Sequence, residues 1–179
     1  MTYQVEQWPI ESNNWAGRIG CNSCDAVNGD EPCTSVLPVL CILHPKVIDR
    51  PFYTYSNLVR PFENPDRAYY NGWTGGIFTV TQPVRGYDVD SYEAGDKLCK
   101  DYWGKNAKFA EFKDGYYQDE MNRRPIKAWR FWDWKQAKCG GWAFWGYFNT
   151  NYNGRVWTWI DSQPHSNCGA QWFERFVSK

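Results

Sequence analysis

Large apolar side chains are most densely patterned near the end of the chain. Between Cys139 and Cys168 the sequence carries Trp142, Phe144, Trp145, Tyr147, Phe148, Tyr152, Trp157 and Trp159, in two short runs with Asn153-Gly154 between them. Asn-Gly between two aromatic runs signals a hairpin, because both central residues of its turn take positive φ. The pattern predicts antiparallel strands near 142–149 and 155–161. A polar loop follows, running from Asp161 through Gln163, His165 and Asn167 to Cys168. Alternate residues of a strand share a face, so Trp157, Trp159 and Asp161 are expected on one side and Val156, Thr158 and Ile160 on the other. The second set suits a core. Two indoles leading into a carboxylate and a Gln/His/Asn loop suit a ligand platform, and the alternative is that the Trp face is itself buried, since aromatics contribute most to many cores.

Upstream, residues 72–76 (Gly-Trp-Thr-Gly-Gly) read as a break, and the β-branched alternation over 77–81 reads as a strand. A helix is predicted over 91–103. Asp90 stands three residues before Glu93 in capping-box spacing, and Ala94, Leu98 and Tyr102 fall at i, i+4 and i+8 with Cys99 beside them. Gly104 suits the end of that helix. Residues 107–112 read as a strand, Asp114-Gly115 as an acidic turn, and 128–137 as a short second helix. Trp129, Phe131, Trp132 and Trp134 exceed what one helical stripe can bury.

The first 70 residues look different. Residues 1–20 are polar with isolated Trp8 and Trp15, and read as an irregular arm or a first edge strand. Cys21, Cys24, Cys33 and Cys41 follow within a short span. Their later spacings are wide and Asn28 to Pro32 is turn-like, so a disulfide-stapled loop is expected, with a zinc site as the weaker alternative. Pro45, Pro51, Pro61 and Pro65 exclude long helices from the next segment. The expected organisation is a Cys/Pro-rich, disulfide-stapled extension over 1–70 and a second unit over 71–179.

Composition narrows the function. Twenty basic and twenty acidic residues balance, with no basic run, so the electrostatic footprint of nucleic-acid binding is missing. The longest apolar run, Val36–Leu43, contains Pro38 and is far shorter than the roughly 20 residues of a membrane span. Seven cysteines with two histidines favour disulfides, hence an extracellular, secreted protein. The odd count leaves at least one thiol free or paired with another chain, and roughly 105 pairings are open. The opening residues carry no basic region followed by an apolar stretch, so an exported chain is expected to have lost its leader or to leave by another route.

The order strand, Cys-bearing helix, strand, short helix, aromatic strand, Trp-x-Trp-x-Asp strand, Gln-Pro loop, Cys and a last strand over 171–177 resembles the C-type-lectin-like fold over residues 71–179. The carrying motifs are the helix ending in Cys99, the strand from Ala107 with Ala110-Glu111-Phe112, the run Ala143-Phe-Trp-Gly-Tyr147, and Trp157-Thr-Trp-Ile-Asp161. The chain is also similar to extracellular bacterial modules with Gly-Trp-x-Phe-Trp and Asp-x-Gln-Pro-x-x-Asn-Cys patterns. The resemblance implies an α+β class, mostly antiparallel strands with one or two helices, rich in disulfides. It implies a bridge from Cys99 to a cysteine near the chain end, with Cys168 nearest, leaving Cys139 over or joined to the N-terminal cluster. Sugar-binding members hold calcium with a Glu-Pro-Asn or Gln-Pro-Asp loop and a later Trp-Asn-Asp. Here Gln163-Pro164-His165 matches two positions and no Trp-Asn-Asp follows. Asp161, Gln163 and Asn167 offer one carboxylate and two amides where calcium takes six to eight oxygens. The expectation is therefore no cofactor, with calcium as the weaker alternative.

Catalysis is not expected. His44 sits in the Cys-rich region and reads as structural. A nucleophilic role for Cys168 beside His165 fails if that thiol is in a disulfide. Acid pairs such as Glu111/Asp114 read as turn residues rather than the two carboxyls of a glycosidase. Sugars present apolar ring faces and polar edges, so the expected function is an extracellular recognition module for a glycan or cell-surface protein. The candidate contacts are Trp145, Tyr147, Asn149, Trp157, Trp159, Asp161, Gln163, His165 and Asn167. The rival is a structural or assembly protein that self-associates through the aromatic surface, motivated by Cys139 and the 129–134 cluster, since large apolar patches mark interfaces.

Overall fold

The computed structural model describes residues 2–11, 14–20, 31–44, 71–111, 114–118, 125–127, 143–149, 151–159 and 168. Among them the chain is mostly strand in one mixed sheet, with one α-helix and two disulfides, which agrees with the α+β class. The strands are β1 (Thr2–Glu11), β2 (Asn14–Gly20), β3 (Val36–Leu43), β4 (Asn71–Arg85), β5 (Ala107–Phe109), β6 (Tyr116–Gln118), β7 (Pro125–Lys127), β8 (Ala143–Phe148) and β9 (Gly154–Trp157). A 3-10 turn, Gly86–Val89, joins β4 to the helix α1, Tyr92–Trp103. The expected second helix and the final strand lie outside the described residues.

The order β5-β3-β9-β1-β2-β8-β4-β6-β7, with β3 also paired to β4, makes a closed circuit: β3, β9, β1, β2, β8, β4 and back to β3. Among the described residues the circuit closes through a single residue pair between β3 and β9, Val39 with Trp157. Strands from residues 2–43 and from 71–157 are thus interleaved in one circuit. The two aromatic strands do form, but they are not a hairpin. β1 and β2 stand between them, with β1 antiparallel to β9 and β2 antiparallel to β8. Gly154 belongs to β9 opposite Val5 and is not among the positive-φ glycines, Gly75 and Gly104. The Asn-Gly signal is local, whereas strand partners are chosen by burial over the whole chain.

β1 and β2 are likewise neither an irregular arm nor an edge. They form an antiparallel pair in which Val5 faces Ile19, and both are fully buried. Among the residues whose burial is described, this apolar cross-strand pair anchors β1 to β2. Between β2 and β8 the register sets Gly17 opposite Gly146. A Cβ at Gly17 would fall 2.1 Å from the Phe148 ring, and one at Gly146 would fall 2.4 Å from the Phe78 ring. The absence of those two side chains is what lets Phe78 and Phe148 pack with ring centroids 5.3 Å apart.

The expected break at 72–76 is a bulge inside β4 rather than its end. The parallel β4–β8 register shifts between Trp73 and Ile77, Gly75 takes φ 66°, and the Thr74 hydroxyl donates to Trp145 O at 2.9 Å while accepting from Gly76 N at 3.1 Å. Pro38 is accommodated the same way. The β3–β4 register shifts between Pro38 and Leu40, and the Val39 N–H donates to Thr81 Oγ1 at 3.0 Å. Each bulge leaves a backbone group outside the ladder, and a threonine hydroxyl satisfies it.

Candidate functional site

The chemistry available at a site here depends on what α1 holds down. Its N-cap is Ser91, whose hydroxyl accepts from Ala94 N at 3.2 Å. The cap is one residue later than the Asp90 expected from the capping-box spacing. Of the expected stripe, Cys99 is buried and Leu98 packs against the core, whereas Tyr102 is exposed; Gly95 is a further buried position. Gly95 lies under the Phe109 ring, which its missing Cβ accommodates. Gly104, at φ 88°, stops the helix and donates its N–H to Lys100 O at 2.9 Å. Ala107 N then donates to Gly104 O at 2.9 Å, so Lys105 and Asn106 make a tight turn straight into β5.

Two disulfides fix this arrangement. Cys41 of β3 joins Cys99 of α1, and Cys33 joins Cys168. The Cys99–Cys168 bridge implied by the C-type-lectin resemblance is therefore corrected: Cys41, in the Pro-interrupted apolar run, reaches the helix first because β3 lies directly beneath it. Cys21, Cys24 and Cys139 lie outside the described residues. Both bridges are buried in one cluster with Val39, Val89, Phe109 and Trp157.

That cluster decides the fate of the aromatic platform. Trp157 is 1% exposed and its indole N–H donates to Val84 O at 3.1 Å. Its ring lies against Gly86, where a Cβ would come within 2.9 Å. Trp145 is also buried. Neither ring is open to a ligand, so these two candidate contacts are corrected to core residues. Val156 and Thr158 on the other face are buried too: β9 is covered on both sides, which a two-face alternation rule does not foresee. Tyr147 is half-buried and Asn149 exposed, with Asn149 N donating to Phe78 O at 3.2 Å. Asp161, Gln163, His165 and Asn167 lie outside the described residues. The Glu111/Asp114 pair is a turn, as expected: Glu111 N donates to Asp114 Oδ2 at 2.9 Å and Asp114 N to Glu111 O at 3.0 Å.

Trp159 is half-buried and leads to the candidate site. Its ring centroid is 6.3 Å from both Tyr92 and Phe109, and those two rings stack at 6.0 Å. Tyr92 in turn lines a cleft of about 710 Å³ beside α1. From the helix come Tyr92, Asp96 and Lys100, spaced i, i+4 and i+8 and hence on one stripe. The following turn supplies Lys105 and Asn106, β5 supplies Lys108, and His44 after β3 completes the lining. Asp96 is committed on both oxygens, accepting from Lys100 Nζ and, at 3.3 Å, from Phe109 N. The Tyr92 hydroxyl donates to Phe109 O at 3.4 Å. Burial pushes the Tyr92 pKa up, and Asp114, Glu111, Asp96 and Glu93 add to the rise, so this phenol stays neutral and hydrogen-bonding through the physiological range.

None of these cleft residues was singled out as a contact from sequence. The signal was present: Tyr92, Asp96 and Lys100 mark a polar helical stripe flanking the buried Gly95 and Cys99. Among the described residues no group of three or more His, Cys, Asp or Glu is placed to hold a metal ion. No helix among them is long and apolar enough to cross a membrane. No family model, curated protein or solved structure matches the chain.

Proposed function

We propose that this chain is an extracellular recognition module that binds carbohydrate or another cell-surface ligand, and that the cleft beside α1 is its binding site. The observation that carries the reading is the disulfide Cys41–Cys99 beneath a cleft lined by an aromatic ring, an amide, a carboxylate and ammonium groups. A covalently held wall loses little conformational freedom on binding, so more of the contact energy becomes affinity. An aromatic ring beside amide and charged groups matches a sugar's apolar face and polar edge. Two long-range disulfides support an oxidising compartment. The C-type-lectin-like reading of residues 71–179 is supported by a Cys-bearing helix followed by a short strand and two aromatic strands, although the bridge leaving that helix departs from the family's pattern.

A glycan array probed with the oxidised protein, with calcium and again with chelator, tests the proposal. Specific signal in both conditions is the expected result, since among the described residues no group of three or more His, Cys, Asp or Glu is placed to hold a metal ion. Signal lost in chelator restores calcium to the site, and a blank array in both conditions removes the carbohydrate reading.

The second reading, assembly, is favoured by one feature. Val36 is 57% exposed and Tyr87 41%, and they sit close together, because Gly86 N donates to Ser35 O and Tyr87 N to Cys33 O. A mass that rises with concentration in light scattering would shift the assignment to self-association.

A further inference from the structure

The charges around the cleft are unevenly committed. Lys100 is held by Asp96, and Lys97, on the outer side of α1, is held by Asp101. Lys105 and Lys108 have no ion-pair partner among the described residues, and both are exposed and line the cleft. The lining therefore carries three ammonium groups against one carboxylate. The carbonyl end of α1 opposes this with roughly half a negative charge, and Glu93, Glu111 and Asp114 stand near Tyr92 without lining the cleft.

The cleft is also polarised along its length. Tyr92 and Lys100 are eight residues apart, about 12 Å of helix rise. Around Tyr92 lie Asp96, Glu93, Glu111 and Asp114, the groups that raise its pKa. At the far end lie Lys100, Lys105 and Asn106. A group entering beside Lys105 and Lys108 meets two ammonium groups and the Asn106 amide, while Tyr92 at the other end contributes its ring.

We infer that the ligand of this cleft is an acidic carbohydrate, whose carboxylate or sulfate is bound between Lys105 and Lys108 while its ring lies toward Tyr92. This inference rests on the recognition reading above and specifies its substrate class. Compact ammonium groups suit an anion approached from several directions. Exposed lysines on a convex surface would serve solubility alone; here two of them border a concavity that also holds an aromatic ring and an amide, the features a sugar needs in addition to charge.

The test is calorimetric titration of the oxidised chain with a sulfated oligosaccharide, an oligouronate and a neutral oligosaccharide of the same length. At least one acidic ligand is expected to bind and the neutral one not. Tighter binding of the sulfated ligand assigns sulfate; tighter binding of the uronate assigns carboxylate. Lys105→Glu/Lys108→Glu should weaken acidic binding at least tenfold, with Lys105→Ala/Lys108→Ala intermediate and Lys97→Ala unchanged. Raising salt from about 50 to about 300 mM should weaken it as well. Acidic binding that is unaffected by both double variants, or a neutral ligand bound as tightly, overturns the inference and leaves the recognition reading standing. Silence from all three ligands overturns the inference, and together with a blank glycan array it removes the carbohydrate reading as well.

Discussion

Gly95→Ala is the substitution that most sharply sets two known effects against each other. Gly95 is interior to α1, where alanine raises intrinsic helix stability by about 1 kcal/mol. Propensity alone therefore predicts a more stable protein. The structure predicts the reverse. A Cβ at position 95 would lie 2.2 Å, 2.5 Å and 2.8 Å from three Phe109 ring atoms, and Phe109 is 1% exposed, packed against Tyr92 and Trp159. The ring has nowhere to swing, and the helix cannot drift away because Cys99, one turn on, is tied to Cys41. Overpacking of this kind costs about 1–3 kcal/mol. With contacts this short the upper end applies, leaving a net loss of about 2 kcal/mol after the propensity gain. For a chain of this size that is a fall of about 4–8 °C in Tm. Urea unfolding of the oxidised protein, followed by tryptophan fluorescence, measures the loss directly. Phe109→Leu should partly rescue Gly95→Ala, with a coupling of about 1 kcal/mol in the double-mutant cycle. A Gly95→Ala variant as stable as the parent or more so would refute the seating of α1 on Phe109.

Three further outcomes are expected. Trp157→Ala should cost about 3–5 kcal/mol, whereas exposed Asn149→Ala should stay within about 0.5 kcal/mol; denaturant midpoints compare them. Replacing Cys41 and Cys99 together by alanine opens a 58-residue separation, worth about 4 kcal/mol in the loop-entropy estimate, and should move the midpoint accordingly. Stability should fall as pH rises above about 10, because the unfolded chain then loses the Tyr92 proton while the folded chain, where burial and nearby carboxylates raise that pKa, retains it. Tyr92→Phe should make this alkaline fall shallower in a pH series of thermal melts.

Local signals located the elements, and long-range packing assigned their partners. The helix was legible within a residue because its polar start and Gly104 act locally, and the strands at 143–148 and 154–157 were legible from their aromatic runs. Neighbour choice was not. The Asn-Gly turn argued for a β8–β9 hairpin, but Val5 and Ile19 bury only if β1 and β2 stand between those strands. The buried stripe of α1 was legible only in part, at Leu98 and Cys99, for a related reason: a glycine gives no hydrophobic signal, yet Gly95 is the position that must be buried to admit Phe109. Likewise Trp157 and Trp159 share a periodicity and differ in burial, because only Trp157 lies over Gly86 and the Cys33–Cys168 bridge. The cleft residues come from β3, α1 and β5 together, and only the helical spacing of three of them was available in advance.

The claim on which both fold and site depend is that α1 is clamped to β3, and peptide mapping of the unreduced protein by mass spectrometry tests it most directly. The peptide containing Cys41 should be found linked to that containing Cys99, and the Cys33 peptide to the Cys168 peptide. A Cys99–Cys168 linkage would contradict the clamp, restore the bridge implied by the C-type-lectin resemblance, and remove the rigid wall from beneath the cleft.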